Sequence, residues 1–389
     1  MMAAGRFVLN KVARAGKSRA GLFGPDEYED VRTYFLAQPE LQPTPLRCFR
    51  SLASSLGVRD ILVKDESARF GMDSFKIAGV LYTLGYLSRQ GRLDKGSVLA
   101  CATEGNHGRA VVRAARAYGL TAKIYVSSGT SAARVASLWR EGGQVIVIDG
   151  SYDDAVRSAT RDAAERGWMV FSDTSWPGYE EIPRLIMAGY SRLLDEAEEQ
   201  WGKQPPSVVI VQAGVGSLAC AVLSWLCRRY GARRPFTIIC EPTSAACLLE
   251  SARAGSIVSL SGPFNTIMAG LRCGEVSSIA WPVIANEADA FVAVDDEQCV
   301  TAMRALAHPG EDAFVVRTGP AGACGLAALL AILTDGTLRP LREASSLGSE
   351  SRVLVFNTEG MTDQQQYERL LGNERELLDG RTTVTDGPP

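Results

Sequence analysis

The chain has 389 residues, enough for two or three domains or for one large α/β unit with an inserted lobe. Apolar residues make up 46% and charged residues 22%, and a net charge of −3 gives no reason to expect a polyanion partner such as nucleic acid. Nine cysteines without CxxC spacing and only two histidines argue against a zinc site and for a reducing cytoplasm, and no apolar run approaches a membrane span.

The first twenty residues are basic but lack a long apolar core, and read as a flexible arm rather than a signal peptide. Residues 25–60 read as a helical lead-in broken at Pro43 and Pro45, with a short helix at 52–56. An apolar strand at 61–63 then runs through a polar turn to Gly71, and Asp73 and Ser74 offer N-cap chemistry for a helix starting near Phe75. Lys76 falls in its first turn. There the helix dipole and the apolar neighbours Phe75 and Ile77 disfavour an ammonium, so a neutral amine is expected, able to form a Schiff base with a carbonyl cofactor. Taken alone, an SFK tripeptide is more often a surface lysine on an amphipathic helix.

Strand and helix signals alternate from there on. Apolar runs at 97–101, 122–126, 144–148, 168–172, 207–212, 236–241, 290–294 and 352–357 are separated mostly by helix-period segments, among them 109–118, 132–141, 152–166 and 182–201. The alternation predicts an α/β fold with parallel sheets covered by helices on both faces. Residues 375–389 are polar and expected to be disordered.

Two strand-to-helix turns stand out. ATEGNHG, at 102–108, has two glycines that expose backbone N–H groups to an anion, and Asn106 can donate to a ring hydroxyl or a carboxylate; an ordinary βα turn would look the same. QAGVGSLA, at 212–219, places Gly214, Gly216 and a helix N-terminus as a phosphate cradle, with Ser217 as a hydroxyl donor. The same stretch satisfies GxGxxA, and Glu241 ends the next strand where a ribose-binding acid would stand, so an NAD enzyme competes on this stretch alone.

Read together, SFK, the GNHG turn and the glycine loop resemble the fold-type II family of pyridoxal-phosphate (PLP) enzymes, which includes threonine dehydratase, serine racemase and cysteine synthase. Longer segments are similar to the diaminopropionate ammonia-lyases within it. They are PTPLRCFRSLASSLGVRDILVKDES, ATEGNHGRAV, SYDDAV, SDTSWPGYEEIP, LIMAGY, QAGVGSLA, TIMAGLRCGE and NTEGMTD, and they run from about Pro43 to Tyr367. The resemblance implies two lobes, each with a twisted, mostly parallel sheet: a large one from 1–96 plus 176–389, and an inserted small one from 97–175. It implies PLP on Lys76, with Asn106 at the ring oxygen and Gly214, Val215, Gly216, Ser217 and Leu218 around the phosphate. Thr358 would face the pyridine nitrogen. Thr103, Glu104, His107 and Asp173 would meet the substrate, Glu104 and Asp173 being the carboxylates for a second substrate ammonium.

The implied reaction is α,β-elimination of 2,3-diaminopropionate to pyruvate and ammonia through aminoacrylate. Elimination or β-replacement on another β-substituted alanine, or serine/threonine dehydratase-like activity, is the alternative. Position 104 is Glu where the ammonia-lyases carry Asp; it is expected as a second catalytic base alongside Lys76. Cys247 and Cys273 are expected to be neighbours able to form a disulfide under oxidising conditions. A homodimer in the cytoplasm, acting on a small amino acid without a metal, completes the expectation.

Overall fold

The computed structural model describes residues 6–11, 21–103 and 105–372. Among these, the strands in chain order are β1 (Phe7–Leu9), β2 (Leu46–Cys48), β3 (Asp60–Asp65), β4 (Val98–Ala102), β5 (Thr121–Ser127), β6 (Gln144–Ile148), β7 (Met169–Val170), β8 (Val208–Gln212), β9 (Phe236–Pro242), β10 (Ala290–Val294) and β11 (Arg352–Asn357). A seven-stranded sheet has the order β1-β10-β9-β8-β11-β3-β2, and a four-stranded sheet the order β6-β5-β4-β7. Only the edge strands β1 and β2 run antiparallel to their neighbours. The chain is thus an α/β protein with two mostly parallel sheets flanked by helices.

The central strands explain why the alternation was so clear. Every residue of β8 (VVIVQ) and of β10 (AFVAV) is buried, as expected of parallel strands with helices on both faces. The helix Pro320–Thr334, apolar almost all round, packs in the second core cluster with Ile210, Ile238 and Val353.

The structure departs from the sequence reading at several points. Residues expected in a flexible arm form β1, which pairs Phe7 with Val292 and Leu9 with Ala290. Three residues are too short for a periodic signal, and the sheet edge supplies their order. The segment expected as one helix at 182–201 is two, Glu181–Gly189 and Arg192–Gln200. Ser191 N–H bonds to Ala188 O and Leu193 N–H to Tyr190 O, three-residue spacings that tighten the chain and re-aim the second helix. The helix expected from Phe75 starts at Lys76, with Phe75 rather than Asp73 or Ser74 at the N-cap; Ser74 Oγ only accepts a 3.4 Å bond from Lys76 N–H. The expected disordered tail at 375–389 lies outside the described residues.

A buried charge cluster fixes the bend between β3 and the Lys76 helix. Lys64, Glu66, Arg69 and Glu196 are all 0% exposed. Arg69 bonds Glu66 through Nε at 2.6 Å and Glu196 through Nη1 at 2.6 Å, while Lys64 Nζ bonds Glu196 at 2.8 Å and Thr44 O at 2.6 Å. Arg192, one turn before Glu196, adds a 2.7 Å contact. Burial by itself raises the Glu196 carboxyl, but Arg69 and Lys64 more than reverse this and hold it below the ordinary carboxylate range. Such a cluster gains little over apolar packing when complete, yet removing one partner strands the others.

Glu196→Ala should therefore cost about 3–5 kcal/mol in denaturant unfolding. Because the folded carboxyl is depressed, its contribution is present above its unfolded value near 4.5 and is lost as pH falls through the folded value. The mutant should accordingly lose part of the wild-type acid sensitivity. A cost below about 1 kcal/mol would contradict the clamp.

Candidate active site

Residues from both sheets meet at Asp173, which follows β7. Its carboxylate pairs with Lys76 Nζ, the two side chains being 20% and 21% exposed. Its backbone oxygen accepts a 2.7 Å bond from Ser217 Oγ, and its Oδ2 lies 3.8 Å from His107 Nδ1. One residue thereby joins the Lys76 helix, the loop after β8 and the helix Asn106–Ala117.

The electrostatics correct the expected neutral amine. Burial disfavours the Lys76 ammonium, but Asp173 more than offsets it and raises the amine above its ordinary value. Burial likewise raises Asp173, and the opposing pull of His107 and Lys76 carries it well below the carboxylate range. The sequence argument had the dipole and the apolar neighbours but could not know that a carboxylate almost a hundred residues on would arrive beside Nζ. Burial lowers His107, with Lys76 adding to the effect and Asp173 opposing it, so the imidazole is neutral.

The loop Gly214–Ser217 opens the helix Ser217–Tyr230 at the C-terminal end of β8. Gly216 has φ +98°, and a Cβ there would lie 2.8 Å from Ile284 Cδ1. A Cβ at Gly214 would lie 2.8 Å from Cys273 Sγ. The backbone packs closely against these two side chains, at a helix end whose first N–H groups have no intrahelical acceptor. Val215 O is held by Ser277 N–H at 2.9 Å, while Ser217 and Leu218 are buried in the first turn.

The remaining expected residues fall nearby. The helix after ATEGNHG starts at Asn106, three residues earlier than expected, which puts Asn106 and His107 in its first turn. Asn106 Nδ2 donates to Glu359 Oε2 at 2.6 Å. Thr103 is buried, and its Oγ1 accepts from Gly105 N–H at 3.3 Å. Thr358 is buried, and its Oγ1 lies 3.1 Å from Gln212 Nε2, which also bonds Phe356 O at 2.9 Å. Glu104 lies outside the described residues. Cys247 and Cys273 are free thiols on either side of Gly214; Cys247 Sγ points at Gly214 O from 3.7 Å.

Glu241 disposes of the dinucleotide alternative. Its carboxylate is fully buried and accepts the N–H groups of Leu248 and Leu249 at 2.9 and 2.8 Å, capping the helix Cys247–Ala254. Burial pushes it up to about 8, and with no exposed surface it cannot meet a ribose.

Two residues were missed by the sequence reading. Glu359 accepts from Ala321 N–H at 3.0 Å as well as from Asn106, and so links the starts of two helices. Gln212 ties the end of β8 to Thr358. Each is a polar residue closing or following an apolar strand, which was the available signal.

Comparison with known proteins agrees with this arrangement. Residues 37–359 match the family model described as pyridoxal-phosphate dependent enzyme. The diaminopropionate ammonia-lyase of Escherichia coli K12 is 37% identical over 368 residues, covering 90% of this chain and 92% of that protein. That of Salmonella typhimurium LT2 is 36% identical over 372 residues, covering 89% and 92%. A crystal structure of the E. coli enzyme in complex with an aminoacrylate-PLP azomethine reaction intermediate superposes with a TM-score of 0.86 at 37% identity, covering 94% of this chain and 96% of that one.

Gly216→Ala tests the geometry of the loop. A non-glycine residue held at φ +98° should destabilise the fold by about 1–3 kcal/mol, read from urea unfolding. An unchanged midpoint would show that the turn tolerates a side chain.

Proposed function

The chain belongs to the pyridoxal-phosphate dependent enzymes, in their diaminopropionate ammonia-lyase branch, and we propose on that premise that it eliminates ammonia from 2,3-diaminopropionate to give aminoacrylate, then pyruvate and a second ammonia. One observation carries the reading: a partly buried carboxylate, Asp173, stands beside both Lys76 and the loop Gly214–Ser217. A cofactor carbonyl calls for the amine, its phosphate for the loop, and a substrate with a second ammonium for the carboxylate.

The residues present fit the cofactor. A phosphate dianion needs N–H donors, and the helix that opens at Ser217 offers its unpaired first N–H groups just after Gly214 and Gly216, which carry no Cβ. We assign Lys76 as the covalent anchor, with Gly214, Val215, Gly216, Ser217 and Leu218 at the phosphate. Asn106 takes the ring oxygen and Thr358 the ring nitrogen. When bound, PLP supplies a reactive carbonyl and a sink for the electrons of the Cα–H bond.

The side chains of this chain do the rest. Thr358 offers a hydroxyl, which can donate to an unprotonated ring nitrogen, where a carboxylate would hold a proton on it. Asn106 spends one Nδ2 hydrogen on Glu359, so its amide nitrogen is fixed and a second hydrogen stays available for an oxygen anion. The first turn of the helix Asn106–Ala117, with Thr103 before it, offers N–H groups to the α-carboxylate. Asp173 pairs with the β-ammonium, a charge-assisted contact that serine or threonine cannot make. Glu104 is assigned from its place in the ATEGNHG turn as a second acid–base group beside Lys76. The E. coli relative, named an ammonia-lyase and seen with an aminoacrylate-PLP azomethine, supports elimination. A cytoplasmic homodimer is part of the same reading; nine free thiols accord with a reducing compartment.

The purified holoenzyme should release one pyruvate and two ammonia from each 2,3-diaminopropionate, measured by coupled assays on both enantiomers. Lys76→Ala should abolish turnover together with the visible absorbance of bound cofactor. Pyruvate from serine or 2-oxobutyrate from threonine, with no pyruvate from diaminopropionate, would replace the proposal with the dehydratase alternative.

A further inference from the structure

The Lys76 ammonium lies against one carboxylate and near two aromatic rings, with an imidazole beside the same carboxylate. Asp173 Oδ2 contacts Nζ, the ring centroids of Phe75 and Tyr190 lie 5.2 and 6.0 Å from it, and His107 Nδ1 stands 3.8 Å from the same Asp173 oxygen. The imidazole is set for this place. Its Nε2 lies 3.1 Å from Phe171 O, and a carbonyl only accepts, so the ring proton is on Nε2. In the neutral ring Nδ1 is then a bare lone pair, and it is buried with no hydrogen-bond partner. A bare nitrogen beside a carboxylate oxygen is repulsive unless an N–H donor comes between them. A carboxylate, an unprotonated imidazole nitrogen and two aromatic faces are together the chemistry that recognises an ammonium.

We propose that this cage is the specificity site for the β-ammonium of the substrate, and that His107 Nδ1 is its second polar contact beside Asp173. The inference rests on the diaminopropionate reading and adds to it the residue that discriminates. As anchor of the cofactor or as a neutral base at Cα, Lys76 would not fill the cage with an ammonium, and a second cation of the same kind would take its place. A substrate whose β-group is hydroxyl or chloride leaves Asp173 without its counter-charge.

The cage also prepares the leaving group. Asp173 and Nδ1 both accept, so they keep the β-nitrogen fully protonated. The base removes the proton from Cα, and the electrons of that C–H bond become the second bond between Cα and Cβ. The Cβ–N bond breaks with both electrons going to nitrogen, which departs as NH₃ because it already holds three protons.

The test compares kcat/KM for 2,3-diaminopropionate with that for β-chloroalanine, whose leaving group is uncharged in the substrate, in wild type, His107→Leu and His107→Asn. His107→Leu should lower the ratio of the two values by about 10–100-fold, the worth of one hydrogen bond to a charged group. His107→Asn, which restores an acceptor oxygen, should recover most of it. An equal loss on both substrates, or no loss, overturns the proposal. Wild-type turnover of β-chloroalanine but not of diaminopropionate would instead overturn the functional reading beneath it.

A second readout needs no variant in the cage. The chain has only two histidines, so ¹⁵N-histidine spectra of the holoenzyme resolve His107 from the exposed His308. Methylammonium chloride should move the His107 Nδ1 resonance toward the hydrogen-bonded value and leave His308 still, with sodium chloride as control. A His107 signal that does not move, or one already carrying a proton on Nδ1, overturns the cage.

Discussion

The ion pair between Lys76 and Asp173 joins the two sheets at one point. Lys76 heads the helix that follows β3 of the seven-stranded sheet, and Asp173 follows β7 of the four-stranded sheet. The backbone oxygen of Asp173 is held by Ser217, the first residue of the helix after the glycine loop. The amine, the glycine loop and the imidazole therefore share a single reference, and a shift of Asp173 would move all three. The pair is partly shielded from solvent, and the charge of each partner shifts the protonation of the other.

A second layer of charge holds the first in place. Between β3 and Lys76 the chain turns through Glu66 and Arg69, and the turn is fixed from behind by Glu196, Lys64 and Arg192. Asp65 is drawn in as well, accepting from Asn357 Nδ2 at 2.9 Å, so the end of β11 that carries Thr358 is tied to the same bend. The helices that carry Asn106 and Ala321 are linked through Glu359. Asn106 and Thr358 are thus held by polar contacts of their own with Glu359 and Gln212, far away in the chain.

What was legible in the sequence was whatever depends on local pattern. Fully buried parallel strands leave continuous apolar runs, and β8 to β11 were found for that reason. The Lys76 helix and the glycine loop were found from their chain neighbours. What was not legible depends on partners far apart in the chain. The protonation of Lys76 is decided by Asp173, the burial of Glu241 by the helix at Cys247, and the role of Glu359 by Asn106. β1 exists because β10 offers an edge, which three residues in a basic stretch do not reveal. The family resemblance supplied candidate roles for these positions, but the buried charge cluster and the tautomer of His107 came only from coordinates.

The central claim is that Lys76 anchors the cofactor in the cage that Asp173 organises. Borohydride reduction of the holoenzyme followed by peptide mass mapping tests it most directly, because reduction makes the attachment permanent. The account predicts a phosphopyridoxyl group on the peptide containing Lys76 and on no other lysine. A group on a different lysine, or a cofactor removed by dialysis after reduction with every lysine unmodified, would contradict it.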